Sequence, residues 1–200
     1  MAERQSPPLA KGGQVKTQQW EYKGGDMSGY KSLAPDEIRL AAPIQSDSIV
    51  DGPGLRAVVW CQGCYRHCPG CHNPESWDDS AGTVVKIDWA IEQLSKLRGQ
   101  TGITFSGGEP MLQAKACKKI ADWARKEMGW NILSFSGFAY EDIRDGKNLA
   151  TPDMWDFTKS LDMLVDGPFI LSQRDISLKF RGSRNQRLIH LKNGEVTSIE

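Results

Sequence analysis

The chain has 200 residues, 39% of them hydrophobic, enough for one globular domain with its own core. Its 25 lysines and arginines balance 25 aspartates and glutamates, so no global field draws it to nucleic acid or to an anionic membrane. The sequence has neither an apolar run of membrane-spanning length nor a signal-peptide core. The expectation is a cytoplasmic protein, in a compartment that keeps thiols reduced.

Residues 1–36 read as a flexible tail, because Pro7, Pro8 and the Gly12-Gly13 and Gly24-Gly25 pairs punctuate a polar stretch without helical or strand period. Trp20, Tyr22 and Tyr30 within it suit packing on the domain or docking to a partner. The domain, residues 37–200, opens with a strand near Ile38–Ile44. The turn signal Asp51-Gly52-Pro53-Gly54 follows, then a second apolar run, Leu55–Trp60, that leads straight into a cysteine-rich loop. Cys61 shares strand parity with Leu55, Ala57 and Val59, which predicts a packed thiol at the end of that strand.

Ile87, Ala90, Ile91, Leu94 and Leu97 recur at helical spacing, with Gly99 as the stop. Ile103–Phe105 predicts a short strand running into Ser106-Gly107-Gly108-Glu109-Pro110. A longer helix follows, with Leu112, Ala116, Ile120 and Trp123 on one face, closed by Gly129. Cys117, beside that face, is expected to be a buried structural thiol. Trp130–Phe135 predicts a strand ending in Ser136-Gly137. Thr151 and Pro152 mark a helix start that runs towards Lys159, and Leu161–Val165 is the next strand, ending in Asp166-Gly167-Pro168. Lys179, Arg181, Arg184 and Arg187 read as a solvated basic face, without the aromatic interleaving of a single-stranded nucleic-acid site. Alternating strand and helix predict an α/β fold of about five to six mostly parallel strands with crossover helices, too few for a closed eight-stranded barrel.

Four of the five cysteines, Cys61, Cys64, Cys68 and Cys71, fall within eleven residues, a density that points to a metal centre. A four-cysteine zinc site takes two CxxC knuckles a dozen or more residues apart. Here the second pair begins only four positions after the first, and such a compact loop suits the larger iron-sulfur cluster. Zinc and a disulfide stay as alternatives. Four thiolates would close a cluster for electron transfer, whereas three would leave one iron open. No paired histidines at metal spacing, no Ser/His/Asp or Cys/His nucleophile arrangement and no phosphate loop accompany the cysteines.

With its surroundings, the triplet Cys64-x3-Cys68-x2-Cys71 resembles the radical S-adenosylmethionine (SAM) enzymes, and more narrowly the activating proteins of glycyl-radical enzymes of the anaerobic ribonucleotide reductase type. The similarity runs from about Ile38 to Leu191 through DGPGLR (Asp51–Arg56), CYRHCPGCHNPESW (Cys64–Trp77), TFSGGEP (Thr104–Pro110), DMLVDGPF (Asp162–Phe169) and RGSRNQR (Arg181–Arg187). Many radical SAM proteins carry an aromatic residue just before the third cysteine; this chain has Gly70, as activases of the reductase type often do.

The resemblance implies a partial (β/α) barrel, open where a protein substrate reaches the site. It implies a [4Fe-4S] cluster on Cys64, Cys68 and Cys71, whose open iron binds SAM. The SAM contacts it implies are Gly107, Gly108 and Glu109 at the methionine amino group, His72 through its backbone, Ser136 near the ribose or carboxylate, Asp166 by position, and Gly70 near the adenine. The implied activity is reductive cleavage of SAM and generation of a glycyl radical on a large reductase subunit, with an external electron donor such as flavodoxin. In that setting the C-terminal basic residues gain docking against the reductase as a second reading. Activation of a pyruvate formate-lyase, a small-molecule radical SAM reaction, or a non-enzymatic iron-sulfur or zinc protein using all four clustered cysteines are the alternatives.

Overall fold

The structure, a computed structural model, describes residues 33–200. The tail expected over 1–36, with Trp20, Tyr22 and Tyr30, therefore lies almost wholly outside the described residues. In chain order the elements are β1 (Glu37–Leu40), β2 (Gln45–Ser48), β3 (Arg56–Cys61), β4 (Thr83–Lys86), α1 (Ile87–Ser95), β5 (Gly102–Gly107), α2 (Ala114–Met128), β6 (Asn131–Phe135), α3 (Tyr140–Asp145), α4 (Pro152–Thr158), β7 (Met163–Asp166), β8 (Arg187–Lys192) and β9 (Glu195–Ile199). One nine-stranded sheet has the order β4-β1-β3-β5-β6-β7-β8-β9, with β2 also paired to β3.

The centre is the expected α/β pattern. β3, β5, β6 and β7 are parallel neighbours, joined by connections that carry α1, α2, and α3 with α4. The flanks differ from expectation: β1, β2, β4, β8 and β9 are all antiparallel to their partners, so five pairings of the described sheet are antiparallel against three parallel. The sheet is mixed and larger than the five to six mostly parallel strands anticipated. The reason is that an antiparallel strand needs no crossover helix to rejoin the sheet. β2 (QSDS) and β9 (EVTSI) are largely exposed and joined to the sheet through their backbones, so they show little apolar alternation. The strand expected over Ile38–Ile44 is broken because the chain bends after Leu40, and Pro43 offers no amide to a ladder.

Strand parity divides the sheet into two faces. Ala57, Val59, Cys61, Ile103, Phe105, Ile132 and Leu164 join the main core with the helices, where α2 contributes Ala116, Cys117, Ile120 and Ala124. α2 ends as anticipated at Gly129, in the left-handed conformation with φ 66°. α4 starts at Pro152, but Thr151 caps it through its carbonyl, which accepts from Met154 N at 3.0 Å, and not through its hydroxyl.

The opposite face is partly polar. Arg56, fully buried, donates to Thr104 Oγ1 and Ile103 O, both at 2.5 Å, and to the Pro53 and Asn131 carbonyls, both at 3.1 Å. Burial lowers its guanidinium to about 10. A Cβ at Gly52 would lie 2.7 Å from Arg56 Cδ, so the DGPGLR block is built around this one side chain, which ties together the starts of β3, β5 and β6.

Candidate metal centre

Parallel strands place their carboxyl ends along one edge, where α/β proteins build sites. Here the loops after β3, β5, β6 and β7 converge on a cavity of about 480 Å³. Cys64, Cys68 and Cys71 line it, together with His72, Gly107, Gly108, Glu109 and Ser136. The structure thus brings together eight of the ten residues singled out in the sequence; Gly70 and Asp166 are not in the lining.

Main-chain atoms fix the cysteine loop. Gly63 N donates to Ser76 O at 2.8 Å and Cys64 N to Trp77 O at 3.0 Å, closing the loop on itself, while the His67 ring stacks on Trp77 with centroids 4.7 Å apart. The glycine turn after β5 seals the base: Gly108 N donates to Cys61 O at 2.7 Å and Glu109 N to Gly63 O at 2.9 Å. A Cβ on Gly107 would lie 2.6 Å from Cys61 O, and one on Gly108 would strike the Gly63 carbonyl. The Gly107-Gly108 pair is therefore glycine because two backbones touch. The N–H groups of residues 108 and 109 serve the neighbouring loop.

Cys71 Sγ accepts the Asn73 N–H at 3.4 Å, and the nearby backbone amides of Arg66 and His67 at Cys64 and of Phe169 at Cys68 act to lower those thiols. Such donors favour a thiolate and tune the sulfur ligands of a cluster. Burial acts the other way: it pushes the Cys64 thiol up to about 12, with Glu109 adding to it, and raises Cys68. Metal binding at this loop thus displaces protons from the thiols. Cys61 lies on the helix-facing side, fully buried, its Sγ 3.8 Å from that of Cys117. Among the described residues no group of three His, Cys, Asp or Glu side chains could hold a single metal ion. Three thiols on one cavity wall fit an iron-sulfur cluster.

Glu109 is the buried acid of the site. Its Oε1 accepts from Met111 N at 3.1 Å and Ser136 Oγ at 3.0 Å, and its Oε2 from Gly137 N at 2.7 Å. Burial raises its pKa, against the pull of Arg66 and these donors. Ser136 is held by the same contact and accepts from Phe138 N at 3.0 Å. Arg66 was not anticipated. It sits between the first two lining cysteines, its guanidinium 4.6 Å from the Phe138 ring centroid and its Nε 3.9 Å from Glu109 Oε2. A Cβ at Gly137 would collide with it. Arg66 thus links the loops after β3, β5 and β6. The available signal was that it is the only lysine or arginine between Gly63 and Trp77.

Asp166 is fully engaged outside the cavity. Its carboxylate accepts from Tyr140 N at 2.8 Å and pairs with Arg187, whose guanidinium also takes Glu141 at 2.7 Å. This network joins β7, β8 and α3, and its geometry accounts for Asp166 without a ligand. Gly70, with φ 77°, is where the loop after β7 leans in, since a Cβ there would lie 2.8 Å from Leu171 Cδ1 and 3.4 Å from Phe169 Cε1. Phe169 does line the cavity. The C-terminal basic residues are not one solvated face: Arg187 is paired as above, Arg184 pairs with Asp175 at 3.0 Å, and Arg181 lines the cavity while donating to Glu200 O at 2.8 Å.

Comparison with known proteins places this geometry in context. Residues 50–189 match the family described as a 4Fe-4S single cluster domain. The chain is 33% identical over 151 residues to the anaerobic ribonucleoside-triphosphate reductase-activating protein of Escherichia coli K12, covering 72% of this chain and 94% of that one. It is 28% identical over 146 residues to the protein of that name from Enterobacteria phage T4, covering 70% and 86%. Identity to the pyruvate formate-lyase-activating enzyme of Clostridium pasteurianum is 33%, but over only 48% of this chain and 43% of the relative.

Proposed function

The chain belongs to the 4Fe-4S single cluster domain family and, within it, to the anaerobic ribonucleoside-triphosphate reductase-activating proteins, and on that premise we propose that it activates such a reductase by radical SAM chemistry. The observation that carries this reading is the separation of Cys64, Cys68 and Cys71, which line the cavity, from Cys61, which is packed on the other face. Those three thiols would hold a [4Fe-4S] cluster with one iron free of protein ligands. With SAM bound, the reduced cluster supplies cleavage of SAM to methionine and a 5′-deoxyadenosyl group able to take a hydrogen atom from a glycine of the reductase.

The chain's own residues provide position and enclosure. Gly107 and Gly108, whose turn has its 108 and 109 amides turned to the cysteine loop, offer carbonyl oxygens to the SAM amino group. Glu109, Ser136 and Arg66 lock that turn to the loop after β6, and Ser136 and the His72 backbone lie on the wall where the rest of SAM would rest. The sheet's curvature around this wall would make a partial barrel, open to the reductase. An external one-electron donor such as flavodoxin and a cytoplasmic setting complete the proposal. Activation of the reductase is favoured over pyruvate formate-lyase because the match to reductase activators spans nearly their whole length.

The test is anaerobic reconstitution with iron and sulfide, reduction with dithionite, addition of SAM and quantification of 5′-deoxyadenosine, with the glycyl radical then sought on the reductase by electron paramagnetic resonance. Cys64→Ala, Cys68→Ala and Cys71→Ala should each lose the cluster and the product, while Cys61→Ala and Cys117→Ala keep both. Loss of iron in Cys61→Ala equal to that in the triplet variants would overturn the three-ligand assignment.

A further inference from the structure

Cys61 and Cys117 take no part in the proposed site, yet they meet directly behind it. Cys61 ends β3 and Cys117 lies in the first turn of α2; both are fully buried, both are free thiols, and their sulfurs are 3.8 Å apart in an S–H···S contact. The Cys117 thiol also points at the Pro110 carbonyl, at 3.7 Å. A disulfide has an S–S distance of about 2.05 Å, so joining this pair requires the sulfurs to close by under 2 Å. The pair is bracketed by the two segments that build the cavity floor, since the Cys61 carbonyl receives Gly108 N at 2.7 Å and Pro110 begins the turn into α2.

We propose that Cys61 and Cys117 form an oxidisable dithiol, a redox modification site separate from the three cluster thiols, whose conversion to a disulfide strains the floor on which the cluster loop rests. With a peroxide as oxidant the step balances. One sulfur is oxidised to the sulfenic acid as the O–O bond breaks and water leaves. The second thiol then displaces that oxygen, the S–S bond forms and another water leaves, so two electrons and two protons pass from the thiols to the peroxide. Burial holds the Cys117 thiol well above its ordinary value, so the pair stays reduced until the peroxide enters the core or the floor opens.

Cys61 is in close backbone contact with the glycine turn. The space a side chain would need at Gly107 is already filled by the backbone of Cys61, at 2.6 Å from its carbonyl oxygen and 2.8 Å from its nitrogen. Movement of Cys61 therefore displaces either the glycine turn or the start of the cysteine loop, and iron uptake falls in the oxidised protein.

The experiment uses the full chain free of iron, treated anaerobically with equimolar hydrogen peroxide. A brief native-state treatment with a small monothiol then reopens accessible disulfides in the Cys64–Cys71 loop. Alkylation in denaturant and peptide mapping without reductant follow. The expected result is a cross-linked peptide pair joining Cys61 to Cys117, lighter by two hydrogens than the reduced pair, with both positions unalkylated and Cys64, Cys68 and Cys71 alkylated. The same sample should take up less iron on reconstitution than its reduced control, whereas Cys117→Ala or Cys117→Ser, treated identically, shows neither the cross-link nor the loss. Cys117 alkylated throughout, Cys117 linked to Cys64, Cys68 or Cys71 instead, or equal iron uptake by the cross-linked and reduced chains would each overturn the proposal.

Discussion

Gly108 has no room for a methyl group. Its missing side chain is matched by the Gly63 carbonyl and, at 2.9 Å, by Ser76 O, both backbone atoms that cannot rotate away. Gly108→Ala should destabilise the chain by about 2 kcal/mol through overpacking and weaken iron retention. Gly107→Ala should cost about 1 kcal/mol more, because its φ of 95° adds conformational strain. Gly129→Ala is the control: nothing lies within 4 Å of its Cβ position, so only the left-handed backbone is penalised, at about 1 kcal/mol with iron retention unchanged. Denaturant titration of the apoproteins measures the first quantity and iron content after gel filtration the second. Glu109→Gln tests polarity at constant shape. An amide nitrogen at either terminal position would face donors where the carboxylate accepted, so a loss of about 1–3 kcal/mol is expected. Arg66 and Gly137 illustrate what a sequence hides at this scale: a guanidinium crossing a glycine in a distant loop leaves no local pattern.

At the scale of elements, the Arg187 network sets an acid sensitivity. Arg187 holds the Glu141 carboxyl below its ordinary value of 4.5, chiefly through their hydrogen bond. A depressed folded-state pKa gives stability that is present above pH 4.5 and lost as pH falls through the lower, folded value. Glu141 is partly exposed, so the discounted contribution is about 0.5–1 kcal/mol. Glu141→Gln should remove that much stability at neutral pH and flatten the acid limb of a stability profile below pH 4.5, measured by urea unfolding between pH 3 and 7; an unchanged acid limb would count against it.

The β8–β9 hairpin is a second case. Asn193 and Gly194 have φ of 53° and 86°, and Gly194 O accepts from Tyr140 Oη at 2.7 Å, pinning the turn to α3. Asn-Gly between two β-rich runs is the strongest short hairpin signal a sequence offers, and it marks this turn. β4 and α3 were missed for a physical reason. Thr83–Lys86 is mostly exposed, and Tyr140–Asp145 buries only Tyr140 and Ile143, too little for a helical period to emerge.

Over the whole molecule, what the sequence made legible was the part under tight steric demand. The parallel centre was readable because β3, β5, β6 and β7 are buried and run into glycine or cysteine turns at one edge. The parity of Cys61 predicted a packed thiol, and Cys61 is fully buried in the main core. The antiparallel flanks, Arg66 and the outward position of Asp166 depend on contacts between residues far apart in sequence, which local pattern does not record. The core is built from side chains away from the three lining thiols, so the apoprotein should keep its sheet. Hydrogen exchange followed by mass spectrometry should show that iron-sulfur loading slows the amides of Cys64–Trp77 and of Phe169, while β5 and β6 are equally protected with and without it. Equal slowing across the sheet would show instead that folding and loading are one event.

The cysteine loop closes on itself beneath a His67–Trp77 stack, and its three thiols are only half-buried, with His67, Pro69 and Gly70 exposed beside them. For a cluster held there, the insulating layer between metal and bulk solvent is one loop thick. An electron arriving from a docked carrier would tunnel directly through that layer, and the contact face offered to the carrier would be the outside of the His67–Gly70 segment itself. The same thinness would leave a cluster there open to dioxygen, so the architecture that gives the shortest electron path would also leave the metal least shielded.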